Sequence, residues 1–172
     1  MNRLSVCILF ALSYFTINAQ TYLFVDSLYQ FQVKIPKWLT INEDVDLNVF
    51  GGTFKSTDNT INSIYIYGFP KSNFKSFNEF KFKFIDGNVA GKESLFDLKY
   101  IARGKGLSKK IENGYRCKMM FEKNNITYHY EFVLLNTEDN YLWIYFEATP
   151  ETYNENIDKF EQWIKGIKLI NP

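Results

Sequence analysis

The sequence predicts an α+β fold, an antiparallel β-sheet with helices packed on its faces. Three stretches carry that prediction. From Tyr115 to Phe132, apolar and polar residues alternate on either side of Asn124-Asn125, the pattern of a β-hairpin with one covered face. From Tyr141 to Ala148 both faces are apolar, which marks a central strand covered on both sides. Tyr153, Ile157, Phe160, Ile164 and Ile167 recur at alternating spacings of four and three, the stripe of a helix that packs on a sheet.

Taken from the first residue, the chain begins with one cation, Arg3, followed by an apolar run from Leu4 to Phe15 and a short polar exit ending in Ala19. That is the anatomy of a cleaved secretory signal. The run is shorter than the ~20 residues that span a bilayer as a helix. Cys7 lies inside it, too early for a lipid-anchoring cysteine. Cleavage after Ala19 is expected, so residues 1–19 read as a signal peptide and residues 20–172 as a single secreted or periplasmic domain. No transmembrane anchor is expected, because no second apolar stretch could serve as one. The remaining chain, about 150 residues, is long enough to bury a full core.

Export bounds the chemistry. A chain across a membrane is away from ATP and from chromosomal DNA, and no cofactor is expected. The formal charge of +1 falls to 0 once Arg3 is removed, so no bulk electrostatic pull toward nucleic acid remains. Cys117 is the only cysteine outside the signal. It has no partner for an internal disulfide, and a zinc cluster of cysteines is impossible. Aromatic residues make up 19% of the chain, so packing must supply the stability.

The first strand reads from Tyr29 to Ile35, with Tyr29, Phe31, Val33 and Ile35 on one face and Gln30, Gln32 and Lys34 on the other. Pro36 ends it, having no N–H for a ladder. Trp38 and Leu39 follow as core plugs. Residues 49–55 and 60–67 form the next pair of strands around an Asp58-Asn59 turn. Ile64 and Ile66 face one way, Tyr65 and Tyr67 the other. Ser76-Phe-Asn-Glu79 is a capping-box pattern, and Phe77, Phe80 and Phe84 continue it at helical spacing up to Gly87. Phe80, Phe82 and Phe84 also alternate as a strand would, and the capping box favours the helix. Within residues 88–105, Lys99 to Ala102 reads as a short strand.

The hairpin that follows has a self-consistent register. It sets Phe121 opposite Tyr128, Met119 opposite Tyr130, Cys117 opposite Phe132 and Lys118 opposite Glu131. Thr137-Glu-Asp139 reads as the next turn, leading into the central strand. Thr149-Pro150 then reads as an N-cap followed by proline at the first helical position.

This order of elements resembles the PsbP/DcrB-like family. The stretches that carry the likeness are Tyr29-Gln-Phe-Gln-Val-Lys-Ile-Pro-Lys-Trp38 and the block from Gly114 to Leu169 with its Thr-Pro-Glu and final Gly166-Ile-Lys-Leu. The resemblance implies an αβα sandwich around an antiparallel sheet, and a non-enzymatic extracytoplasmic accessory or partner-binding role. It carries over no shared catalytic set. Residues 88–105 depart from the pattern.

His129 is the only histidine. A three-residue Thr137-Glu-Asp139 loop would set it opposite Glu147, a pair able to orient an imidazole as a general base. A cross-strand polar pair on a sheet surface explains the same residues. No serine has the Gly-x-Ser-x-Gly setting of a nucleophile elbow. Asp44-Val-Asp46-Leu-Asn48 has calcium-loop spacing, but Val49 stands where glycine is needed and Lys55 where glutamate is needed; it reads as an acidic turn, and no metal is expected. Gly104-Lys-Gly-Leu-Ser-Lys-Lys110 lacks the gap of a phosphate loop. Asn125-Ile-Thr127 matches a glycosylation acceptor, a pattern frequent by chance. Cys117 falls on the apolar face as an inert buried thiol.

Tyr141, Trp143 and Tyr145 line one face of the central strand. If the first helix leaves them uncovered, they form the kind of surface on which tyrosine and tryptophan bind partners. The leading expectation is a non-catalytic domain that binds a protein or small ligand. A small enzyme using His129 and Glu147, and a structural envelope component that self-assembles, are the alternatives.

Overall fold

A computed structural model describes residues 22–42, 48–87, 94–104, 110–123 and 125–170. The signal segment, Asp44 and Asp46 of the acidic turn, and the middle of the Gly104–Lys110 loop lie outside them. The described chain contains ten strands. They are β1 Tyr22–Asp26, β2 Phe31–Ile35, β3 Thr40–Ile41, β4 Val49–Lys55, β5 Ile61–Pro70, β6 Ser94–Ile101, β7 Asn113–Lys123, β8 Ile126–Asn136, β9 Asn140–Ala148 and β10 Lys168–Leu169. Helix α1 spans Phe77–Lys81 and runs into a π-helical turn, Phe82–Asp86; helix α2 spans Pro150–Lys165.

Seven strands pair antiparallel in the order β3-β4-β5-β9-β8-β7-β6, which puts β9 at the centre. That position accounts for its two apolar faces: Tyr141, Leu142, Ile144, Phe146 and Ala148 are all buried. The β7–β8 register is the expected one at every pair, including Cys117 with Phe132 and Lys118 with Glu131. The β4–β5 hairpin also forms where expected, with Asn59 in the left-handed conformation (φ 66°) that asparagine tolerates in a turn. The strand read at Lys99–Ala102 is the end of a longer β6, interrupted by a bulge between Phe96 and Lys99. A bulged edge resists pairing with another chain.

Two hydrophobic cores lie on opposite faces of this sheet. On the first face, α2 contributes Tyr153, Phe160, Trp163 and Ile164, which pack with Ile64, Ile66, Ile144 and Phe146. Ile157 is half-buried and packs at the margin of the same cluster. The second sheet, β1-β2-β10, joins this layer with Tyr29, Phe31 and Val33. Gly68 lets it dock: a Cβ there would sit 2.0 Å from the Tyr29 ring. On the second face, Phe77, Phe80 and Ile85 of α1 and its π turn cover Cys117, Phe132, Leu134 and Tyr141. The result is the expected sandwich, with an added three-stranded sheet beside α2.

Several local features differ from the sequence pattern. Tyr29 and Gln30 precede the strand as a turn, because Gln30 adopts φ 59°, and the strand starts at Phe31. Strand β1 had no clear alternation; it exists because it pairs with β2 from Tyr22↔Ile35 to Asp26↔Phe31. The capping box forms in a shifted version. The Ser76 hydroxyl accepts from the Glu79 N–H at 3.3 Å, but the Glu79 carboxylate accepts from the Lys75 N–H. Thr149 caps α2 through backbone geometry, its hydroxyl meeting that of Thr152 at 3.1 Å.

The turn between β8 and β9 is tighter than its composition suggests. Thr137 N–H donates to Asn140 O at 3.0 Å, and the Thr137 hydroxyl bonds both the N–H and the carbonyl of Asn140. Thr137 and Asn140 therefore close a two-residue Glu138-Asp139 tip. The expected three-residue loop is one residue too long, and a one-residue slip exchanges the faces of a strand. His129 pairs with Ala148, and Glu147 pairs with Tyr130.

Candidate functional site

The aromatic face of β9 begins under α1. Tyr141 is buried there, 4.9 Å from the Phe80 ring and 5.3 Å from Phe77. Burial, and secondarily the charge of Glu112, raises its phenol pKa above the ordinary value. Tyr141 is therefore core. Helix α1 is short, and the π turn carries Phe84 only as far as Trp143, 4.7 Å away.

Beyond that contact the face opens. Trp143 and Tyr145 are half-buried, and β5 lies alongside with Tyr67 opposite Trp143 and Tyr65 opposite Tyr145. The Trp143 ring centroid lies 5.1 Å from those of both Tyr67 and Tyr145, and that of Tyr145 lies 5.5 Å from Tyr65. Offset and tilted contacts at these separations are favourable for aromatic pairs. Gly51 of β4 contributes by having no side chain: a Cβ would lie 2.9 Å from the Tyr65 ring.

Hydroxyls give this face a polar margin. Asn42 donates to the Tyr65 hydroxyl at 3.2 Å, and Tyr130 donates to the Glu147 carboxylate. Burial, then the Tyr67 phenol, pushes the Tyr145 pKa well above its ordinary value. Burial, then the Glu147 bond, does the same for Tyr130. Both phenols are donors across the physiological range. An apolar floor with neutral hydroxyls at its rim suits stacking and hydrogen bonding rather than proton transfer.

His129 and Glu147 do not meet. Glu147 lies on the aromatic face, while His129 points to the α2 face with its ring 5.4 Å from Tyr153. The oriented-base arrangement is therefore not formed. On that same face Arg116 makes ion pairs with Glu131 and Glu161, and the Tyr153 hydroxyl donates to Glu131 at 2.7 Å. Glu131 thus pairs with Arg116 rather than with Lys118 across the ladder. Among the described residues, no group of three or more His, Cys, Asp or Glu side chains converges as a metal site would require.

Cys117 is fully buried, and burial is the main cause that pushes its thiol up to about 12. The thiolate is the reactive species. Iodoacetamide at about pH 8 should leave the Cys117 peptide unmodified in the folded chain and label it fully in guanidinium, as read by mass spectrometry.

Of the residues singled out in the sequence, the structure brings Trp143 and Tyr145 together at an open face and sends Tyr141 into the core. Tyr65, Tyr67 and Tyr130 complete that face. Their alternation along β5 and β8 was readable, but their partnership with β9 depends on strand order.

No family model matches the sequence, and no curated protein matches it. Solved structures do. The fold is similar to that of PA94, a Pseudomonas aeruginosa protein of unknown function, at 12% identity and a TM-score of 0.58, over 88% of this chain and 99% of that one. It is similar to the cyanobacterial PsbP protein CyanoP of Synechocystis at 9% identity and a TM-score of 0.58, over 90% and 95% of the two chains. It is similar to LpqN of Mycobacterium tuberculosis, a protein involved in cell envelope biogenesis, at 10% identity and a TM-score of 0.51, over 90% and 88%. The fold is PsbP-like. No helix among the described residues is long and apolar enough to cross a membrane.

Proposed function

We propose that this chain is a non-catalytic accessory domain that works outside the cytoplasm once residues 1–19 are removed. It holds a protein or small ligand on the sheet face formed by Trp143, Tyr145, Tyr65 and Tyr67. The observation that carries this reading is the short reach of α1: it buries Tyr141 but leaves the next two aromatics of the same strand only partly buried, beside two more from β5. Large, rigid, amphipathic side chains with few rotors are the residues that dominate binding surfaces. The envelope role of LpqN supports the same compartment and class of role.

The test is affinity capture of the tagged chain, cross-linked in the source cell's envelope fraction, with a Tyr65→Ala/Tyr145→Ala variant as the comparison. Removing two hot-spot aromatics should weaken capture of a heterologous partner at least tenfold. The unfolding midpoint of the variant confirms that it remains folded. Recovery of the bait alone would exclude a stable protein partner and leave the small ligand; undiminished capture by the double variant would overturn the assignment of this face.

A further inference from the structure

On the opposite face of the sheet, the end of the β7–β8 hairpin and the first turns of α2 line a half-open cavity of about 220 Å³. Its walls are chemically two-sided. Met120 and the Tyr153 ring give an apolar surface, while Lys118, His129 and Asn154 supply polar groups able to donate hydrogen bonds. No carboxylate lines it.

Two acidic groups on this face of the sheet, Glu131 and Glu161, are engaged with Arg116 and Tyr153. Both Glu131 oxygens are used, one by Arg116 and the other by the Tyr153 hydroxyl at 2.7 Å, and Glu161 pairs with Arg116. The Tyr153 hydroxyl is thereby turned inward, leaving its ring as cavity wall. Lys118 lies over that ring at 5.8 Å. Its nearest carboxylate is Asp97 at 3.8 Å, on a side chain that is 57% exposed, so the pairing is loose and well screened.

From this arrangement we infer that the cavity is a binding site for a small carboxylate with an apolar body, such as an aromatic or short-chain acid. The carboxylate is held by Lys118 with His129 and Asn154, and the body lies between Met120 and Tyr153. The volume falls below the ~300–1,000 Å³ of pockets for drug-sized ligands, which limits the ligand to a single ring or a short chain. Met119 and Tyr130 also line the cavity, but Lys118, Met120 and His129 project from the face of the sheet opposite to Trp143 and Tyr145.

His129 is the only histidine in the chain, so its ring protons are a unique reporter in proton–carbon NMR spectra. The probes are benzoate, its neutral analogue benzamide and its cationic analogue benzylamine, added to the chain as the cell processes it. Benzoate should shift the His129 ring signals saturably, together with the Met120 methyl signal. Binding should weaken at least tenfold for benzamide, for benzylamine and in Lys118→Met, and recover in Lys118→Arg. Lys118 is 45% exposed, and methionine retains an unbranched stem, so the variant keeps the fold. An absent benzoate response at millimolar concentration, an equal response to the three probes, or an unchanged affinity in Lys118→Met would each overturn the assignment.

Discussion

Arg116→Met is expected to destabilise the fold by about 3–5 kcal/mol, the cost of breaking a buried ion pair by removing one partner. Arg116 bridges the sheet to α2, binding Glu131 on β8 and Glu161 on the helix. Burial disfavours the charged guanidinium, but the bonds to Glu161 and then Glu131 more than reverse this, holding its pKa above the ordinary value. Glu131 is only 2% exposed. Without the arginine it keeps the Tyr153 hydroxyl alone, an uncompensated charge in the core. The loss is a large share of the 5–15 kcal/mol by which domains of this size are stable. Urea unfolding read by circular dichroism measures it. The double variant Arg116→Met/Glu131→Leu should recover much of the loss, because an apolar replacement of the whole pair removes the stranded charge. A single-variant loss under about 1 kcal/mol would show that Arg116 behaves as a surface pair.

Raising the pH above about 10 should progressively destabilise the protein. Burial is the first cause that lifts the phenols of Tyr130, Tyr145 and Tyr153 above their ordinary value of 10.0, and it lifts Cys117 from 9.0 to about 12. In the unfolded chain these groups release protons at ordinary values while the folded chain retains them. The unfolded state then binds fewer protons, so stability falls as pH rises. The stabilising difference is intact below about pH 9 and is lost upward through the raised values. Each group contributes about 1.4 kcal/mol per pH unit in that window. At about pH 11 the three phenols together remove about 2–4 kcal/mol, allowing for solvent screening at the half-buried rings. Tyrosinate absorbance and ellipticity should therefore change together for these residues. If they ionise while the circular dichroism remains native, they are not held by burial.

Local pattern was sufficient wherever one element faced one environment. The β7–β8 hairpin announced itself because Tyr115, Cys117 and Met119 alternate with charged or longer side chains, and Asn125 tolerates the positive φ of the turn (62°). The α2 stripe was equally plain, since Tyr153, Phe160 and Ile164 all meet one sheet. Strand β1 was not legible: Tyr22, Leu23 and Val25 are mostly exposed, and its existence rests on partners in β2 rather than on its own periodicity. The register of β9 lies one residue from the one that turn composition suggests, because Thr137 and Asn140 close the turn through side-chain bonds that composition does not reveal. That single residue decided whether His129 and Glu147 share a face.

What the sequence by itself determined was which residues seek the interior and at what period. Alternation, helical stripes and turn residues are properties of neighbours along the chain, and from them follow the antiparallel meander, the final helix and the α+β class. Only the tertiary structure decided how much of each face is covered. The length of α1 separates buried Tyr141 from half-buried Trp143 and Tyr145, and the β5–β9 pairing brings Tyr65 and Tyr67 beside them. The packing of α2 ties Glu131 to Arg116 and Tyr153 and leaves Lys118 at the mouth of a cavity. The physical reason is that these contacts join residues far apart in sequence. Their formation depends on strand order and on a register that a single added residue reverses.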